Sequence, residues 1–175
     1  MTNGPTAAAI RNDLRYLGGI DRRHSFLESV PDRWFQNKGY TLLTERAVDG
    51  TPLVGVALDY PFPCPIDETA TMMIRYWLGN LNRRAELLPA YIKNIVAINE
   101  HMATVGAKRV WGAVPKKATH LTSFLEPAAR AGACRRVDGA GITIGDVVDE
   151  EDDYRNFWFF IGDRQTVTDF MQAVP

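Results

Sequence analysis

The sequence predicts a mixed α/β fold, a mainly antiparallel sheet with a central βαβ parallel crossover and flanking helices. Three observations carry that prediction. Two strand-like stretches, Tyr40–Val48 and Thr51–Tyr60, are separated by Asp49-Gly50, a pair that suits the positive dihedrals of a two-residue hairpin turn. Thr69–Leu78 is dense in β-branched and aromatic residues, Leu87–Val105 carries apolar residues at helical spacing, and Lys108–Val114 returns to strand character. Strand, helix and strand within so short a span imply a crossover connection, and such connections join parallel strands. The third observation is Tyr154–Ile161, a strongly aromatic run that reads as a late strand.

Taken in order, Ala7–Leu17 sets Ile10, Leu14 and Leu17 on one helical face, and Gly18-Gly19 is expected to end that helix. Ser25–Val30 suggests a short helix before Pro31, and Trp34 and Phe35 read as core packing or a surface anchor. After the hairpin, in which Pro52 sits near a strand start, Pro61, Pro63 and Pro65 cannot continue a sheet and must form a connection. The central helix starts near Glu86 or Leu87 with Pro89 in its first turn, where the missing N–H costs no internal hydrogen bond. Leu88, Tyr91, Ile92, Ile95, Val96, Asn99, Met102 and Val105 follow the helical period and are expected to face the core, and Gly106 closes the helix. In Lys108–Val114, Val110, Gly112 and Val114 share one face and Arg109, Trp111 and Ala113 the other. Ala118–Glu126 predicts a short helix interrupted or restarted at Pro127, Arg135–Val148 one or two short strands, and Gln165–Ala173 a terminal helix. The whole reads as one domain over 1–175, with a helical part at 1–39, a core at 40–161 and a tail or helix at 162–175.

Composition narrows the function classes. Apolar residues at 46% and charged residues at 23% fit a soluble globular protein. A net charge of -1 speaks against a broad nucleic-acid-binding surface. No apolar run is long enough for a membrane span, and Met1–Pro5 lacks the charged-then-apolar order of a signal peptide, so synthesis in the cytoplasm is expected. Cys64 and Cys134, without a secretion signal, read as reduced and structural. His24, His101 and His120 lie far from either cysteine and from one another, so no metal site is expected. Asp149–Asp153 is five consecutive acids without the glycine or the alternation of a calcium loop, and reads as a solvated connection.

The candidate site is the polar turn after the third strand. A strand followed by a polar loop and a helix N-terminus is a place where α/β proteins bind anions, because the first amides of a helix are unpaired and its dipole favours negative charge. Here Leu78, Gly79, Asn80, Asn82, Arg83 and Arg84 occupy it.

The order hairpin, strand, long helix, Val105-Gly106-Ala107-Lys108-Arg109, the Val110–Val114 strand and a short helix resembles the acetyl-CoA-dependent N-acetyltransferases of the GNAT family. The resemblance covers Tyr40 to Ile161, and Ile95–Phe124 is its most specific stretch. It implies a strand that splays from its neighbour and a Gln/Arg-x-x-Gly-x-Gly/Ala loop whose amides hold the coenzyme pyrophosphate. On this sequence it assigns acetyl-CoA, if bound, to Leu78, Gly79, Asn80, Asn82, Arg83 and Arg84. Two departures stand out: the interval Leu78–Glu86 has one glycine and no Gly-x-Gly, and the position matching the family's proton-donating tyrosine is Phe124. Glu86 and Pro89 further remove favourable charge and a donor. Asp59 and Glu68, near strand ends, are the candidates for accepting a proton from an amine, and no other catalytic residue is assigned. Two readings follow. The first is a GNAT-like protein that has lost catalysis and serves, without cofactor, as a structural or interaction subunit, through a protein partner or self-assembly, with a phage particle as one setting. The alternative is a divergent acetyl-CoA-dependent N-acetyltransferase acting on an unknown amine. The missing glycine loop and Phe124 favour the first.

Overall fold

The computed structural model describes residues 4–140 and 156–173. Among the described residues the helices are α1 (Ala7–Ile20), α2 (Asp32–Lys38), α3 (Leu87–Val105), α4 (Thr119–Arg130) and α5 (Arg164–Ala173). The strands are β1 (Thr41–Arg46), β2 (Pro52–Asp59), β3 (Ala70–Gly79), β4 (Arg109–Pro115), β5 (Arg135–Asp138) and β6 (Phe157–Asp163). They form a sheet in the order β1-β2-β3-β4-β6-β5. The β1–β2, β4–β6 and β5–β6 pairs are antiparallel and β3–β4 is parallel, as the α3 crossover requires. The parallel ladder is short: Ala70, Met72 and Met73 face Arg109, Val110 and Trp111, with a register shift after Ala70.

The chain forms two compact units, Met1–Asp59 with Ile74–Ile98, and Tyr60–Met73 with Asn99–Pro175. In the first, Leu14, Leu17, Leu27, Phe35 and Leu78 are buried together, and Trp34 and Tyr76 pack against them. Asp13 is buried there without an unpaired charge, because it accepts two bonds from the Arg46 guanidinium (2.8 and 2.9 Å) and one from the Thr44 hydroxyl. In the second unit Trp111 is the centre. Its ring stacks on Phe159 at 6.1 Å, and its indole N–H donates to the Phe62 carbonyl at 2.8 Å, which satisfies the one polar atom that burial would otherwise strand.

Several expectations are corrected. α1 runs through Gly18-Gly19 to Ile20 rather than ending there. A Cβ at Gly18 would lie 2.9 Å from the Leu27 Cβ, so this glycine lets the 3-10 segment Arg22–Ser29 pack tightly on α1. The hairpin connection is longer than two residues: it runs from Arg46 to Pro52, and Gly50, at φ 85°, donates to the Ala47 carbonyl. α4 passes through Pro127 to Arg130. α2 falls within the helical part expected at 1–39 and is ended by Gly39 at φ 69°. Most consequentially, the face of α3 is rotated. Leu87, Ala90, Tyr91, Asn94, Ile98 and Met102 are its buried positions, while Leu88 and Val96 are exposed. The reason is the composition of the helix: with apolar residues on more than one side, periodicity alone admits two faces that share Tyr91 and Met102, and the Trp77 hydrogen bond to Asn94 belongs to this one alone. The expected strand content of 141–148 and the acidic run 149–153 lie outside the described residues.

Candidate functional site

The turn from β3 to α3 lies wholly within the first unit. β3 delivers Leu78, Gly79 and Asn80 into the interior, all three buried. The chain then makes a 3-10 segment, Leu81–Glu86, kinked at Arg83, which runs directly into α3.

Gly79 is set by packing. A Cβ there would sit 2.6 Å from the Tyr91 hydroxyl and 3.5 Å from a Leu87 methyl, so the first turn of α3 closes directly over it. Burial pushes the Tyr91 phenol up, so it stays neutral at any physiological pH. Beside it, the Trp77 indole N–H donates to the Asn94 Oδ1 at 2.9 Å, and both side chains are buried.

Asn80 is only 1% exposed and is used on three sides. Its amide N–H donates to the Leu53 carbonyl at 2.8 Å, its Nδ2 donates to the Pro52 carbonyl at 2.9 Å, and its Oδ1 accepts from the Asn82 amide at 3.2 Å. Its carbonyl accepts from the Arg83 amide at 2.9 Å, and the Leu87 amide donates to the Arg84 carbonyl. The amides of Asn80, Asn82, Arg83 and Leu87 are thus all engaged inside the protein. An Asn side chain capping its own turn in this way competes directly with an external anion for the same donors.

The two arginines differ. Arg83 donates to the Glu86 carboxylate at 2.7 Å and to Asp49 at 2.9 Å, so its charge is matched on both sides, and those carboxylates push its pKa up. Asp49 in turn is drawn down to about 2, first by the Thr51 amide and hydroxyl and then by Arg83. Arg84 is exposed, with no ion partner among the described residues. Asn82 is exposed as well. The six residues singled out in the sequence do come together, but as a closed turn with two outward side chains.

Of the remaining candidates, Asp59 is half-buried 3.7 Å from Arg75; burial raises its pKa, and Arg75 offsets part of that rise. Glu68 is exposed. Phe124, half-buried on α4, offers no proton. Both cysteines are free thiols; burial raises Cys64 and pushes Cys134 up to about 11, so neither is a nucleophile at neutral pH. Among the described residues no group of His, Cys, Asp and Glu is arranged to hold a metal ion, and no helix is long and apolar enough to cross a membrane.

No family model and no curated protein matches the chain. Solved structures do. An acetyltransferase from Streptococcus agalactiae superposes with a TM-score of 0.57 at 9% identity, over 91% of this chain and 94% of its own. A Bacillus subtilis acetyltransferase in complex with CoA gives 0.52 at 11% identity, over 92% and 95%. A CoA-dependent acyl-homoserine lactone synthase gives 0.53 at 15% identity, over 97% and 85%. The fold is that of the GNAT acetyltransferases. At these identities the likeness is one of architecture, and it spans nearly the whole of each chain.

Within this GNAT fold the sequence located the β3–α3 turn correctly but missed two residues that define it. Asp49, which lies 34 positions before Arg83, comes from the β1–β2 connection, and nothing in the local sequence links the two. Tyr91 was placed on the core face of α3, yet its closure over Gly79 is legible only in three dimensions.

Proposed function

We propose that this protein is a GNAT-fold subunit that has lost acetyl transfer and works through contacts with other protein surfaces. The observation that carries the reading is the Asn80-capped turn. Coenzyme pyrophosphate is held in such a place by free backbone amides at a helix start. Here Asn80 and the 3-10 segment already engage those of Asn82, Arg83 and Leu87, Tyr91 fills the space over Gly79, and Asp49 and Glu86 neutralise Arg83. The residues present do not fit the group. Opening the turn to admit it would strand Asn80, at 1% exposure, without partners, at a cost of about 1–3 kcal/mol for each buried polar group left unsatisfied. Phe124 supports the same reading, since a leaving thiolate would find no hydroxyl there.

Arg84 favours a second reading, a divergent acetyl-CoA-dependent N-acetyltransferase acting on an unknown amine. Its guanidinium is exposed at the turn and is matched by no carboxylate among the described residues. The structural neighbours include a CoA complex, and Asp59, raised by burial, would be the amine's proton acceptor. Calorimetric titration with acetyl-CoA, paired with a thiol-release assay over a panel of amines, separates the two readings. The proposal expects neither heat nor thiol. Saturable binding lost in Arg84→Ala, with turnover of any amine, would replace it with the second.

A further inference from the structure

The sheet face that carries Trp111 ends in charge. Arg109 lies opposite Asp163 and Trp111 opposite Ile161, while Arg135 lies opposite Ile161 from the other side. Directly paired residues and alternate residues of a strand share a face, so register alone puts Arg109, Asp163 and Arg135 on the face of Trp111, Ile161 and Phe159. The connection 60–69 covers the apolar part of that face, with Cys64 packed among Trp111, Phe159 and Ile161, and it brings Asp67 to the charged end. A cleft of about 410 Å³ opens there, lined by the buried Ala133 and Ile161 and by Asp67, Arg109, Arg135 and Asp163. All of these residues belong to the second compact unit.

The hydrogen-bonding capacity left over decides what the cleft can take. Asp67 is fully used. Its Oδ1 accepts from the Thr69 amide at 3.1 Å and hydroxyl at 2.5 Å, and its Oδ2 from Arg109 at 3.2 Å and Arg135 at 3.3 Å, which fills the about four lone-pair sites of a carboxylate. The arginines are not used up. Arg109 spends Nε on Asp163 and Nη1 on Asp67 and Thr69, and its Nη2 donates to none of the described residues. Arg135, with its side chain 57% exposed, makes the one contact to Asp67 among the described residues. Asp163 stands on the diagonal from Arg135, about 7–8 Å away along the β5–β6 ladder. Its Oδ1 accepts from the Gln165 and Thr166 amides, whereas its Oδ2 receives only a 3.4 Å contact from Arg109. Unspent donors therefore face an unspent acceptor. Two arginines and two aspartates sum to zero charge, so an occupant with one charge of each sign keeps the cleft balanced, and a simple anion or cation does not.

We infer that this cleft binds a small zwitterion, an α-amino acid in chemical class, with its carboxylate on the Arg135 guanidinium and its ammonium on Asp163 Oδ2. A guanidinium pairs a carboxylate through two parallel N–H···O bonds, and the single contact to Asp67 leaves Arg135 the donors to do so. The volume falls within the about 300–1,000 Å³ of small-molecule clefts. The site uses no residue of the β3–α3 turn, which lies in the first unit, so it stands whether or not coenzyme binds.

Isothermal titration calorimetry of the full chain with the common L-amino acids, one at a time up to about 10 mM, tests this, with acetate and methylamine as half-ligands. At least one amino acid is expected to bind saturably, and both half-ligands at least about tenfold more weakly. Arg135→Ala is at an exposed position, and Asp163→Asn keeps an Oδ1 acceptor for the Gln165 and Thr166 amides; each is expected to weaken binding at least about tenfold. Amide shifts in nitrogen-15 NMR spectra of the unmodified protein map the site independently of any variant, and they are expected at Arg135, Asp163 and Thr166. No saturable binding by any amino acid, acetate as tight as the amino acid, binding indifferent to either variant, or shifts confined to other residues would overturn the inference.

Discussion

Replacing Asn80 by alanine tests the turn most directly. Asn80→Ala removes the Nδ2 donation to the Pro52 carbonyl at 2.9 Å and the Oδ1 cap on the Asn82 amide at 3.2 Å, at a residue with 1% exposure. A neutral hydrogen bond contributes about 0.5–1.5 kcal/mol, and loss of an N-terminal cap costs about 1 kcal/mol. Because the part-buried Pro52 carbonyl also loses its donor, the expected total is about 2 kcal/mol. For a chain of this size each kcal/mol moves the melting point by about 2–4 °C, so the variant should melt about 4–8 °C lower. Urea unfolding followed by tryptophan fluorescence measures the free energy, with the midpoint shifting and the slope unchanged. Arg84→Ala, at an exposed position on the same turn, serves as the control and should stay within about 0.5 kcal/mol of the parent. If Asn80→Ala proves as neutral as Arg84→Ala, Asn80 is not consumed in holding the turn, and the argument against an anion there loses its basis.

Gly79→Ala should cost about 1–3 kcal/mol, because the new methyl meets the Tyr91 hydroxyl at 2.6 Å; adding Tyr91→Phe should recover part of the loss, and a double-mutant cycle without coupling would contradict the packing role. Asp49 has a folded pKa of about 2 against an ordinary 3.8, so its contribution is complete above about pH 4 and fades as pH falls through 2. Accordingly the melting points of the parent and of Asp49→Asn should converge over that window, and a constant difference down to pH 2 would count against the Thr51 and Arg83 contacts. With Cys64 buried and the half-buried Cys134 pushed up to about 11, where only about one thiol in a thousand is ionised at pH 8, intact-mass analysis should find both cysteines slow to alkylate until the protein is unfolded; rapid native labelling of Cys64 would contradict its burial.

The strand–helix–strand crossover was legible because its signals are local: the aromatic and β-branched run of β3, the Pro89 start and the Gly106 stop of α3 each lie within a few residues of the feature they set. Side-chain choices between two packable faces were not. Leu88, Ile92 and Val96 satisfy the helical period as well as Leu87, Asn94 and Ile98 do, and a contact such as the Trp77–Asn94 hydrogen bond, across 17 positions, distinguishes them. Gly18 illustrates a second limit, since a glycine that ends a helix and one that admits a neighbour at 2.9 Å look alike in sequence. At the candidate site the absence of a second glycine was visible from the residues. What was not visible is that Asn80, which reads as a polar ligand group, is the most internally committed side chain of the turn.

The central claim, that this GNAT fold no longer holds its coenzyme, is tested by the melting temperature of the intact protein with and without millimolar acetyl-CoA. A ligand at one hundred times its dissociation constant stabilises the native state by about 2.7 kcal/mol, which would raise the melting point by several degrees. The Asn80-capped turn predicts no change. A saturable upward shift, abolished by Arg84→Ala, would contradict it.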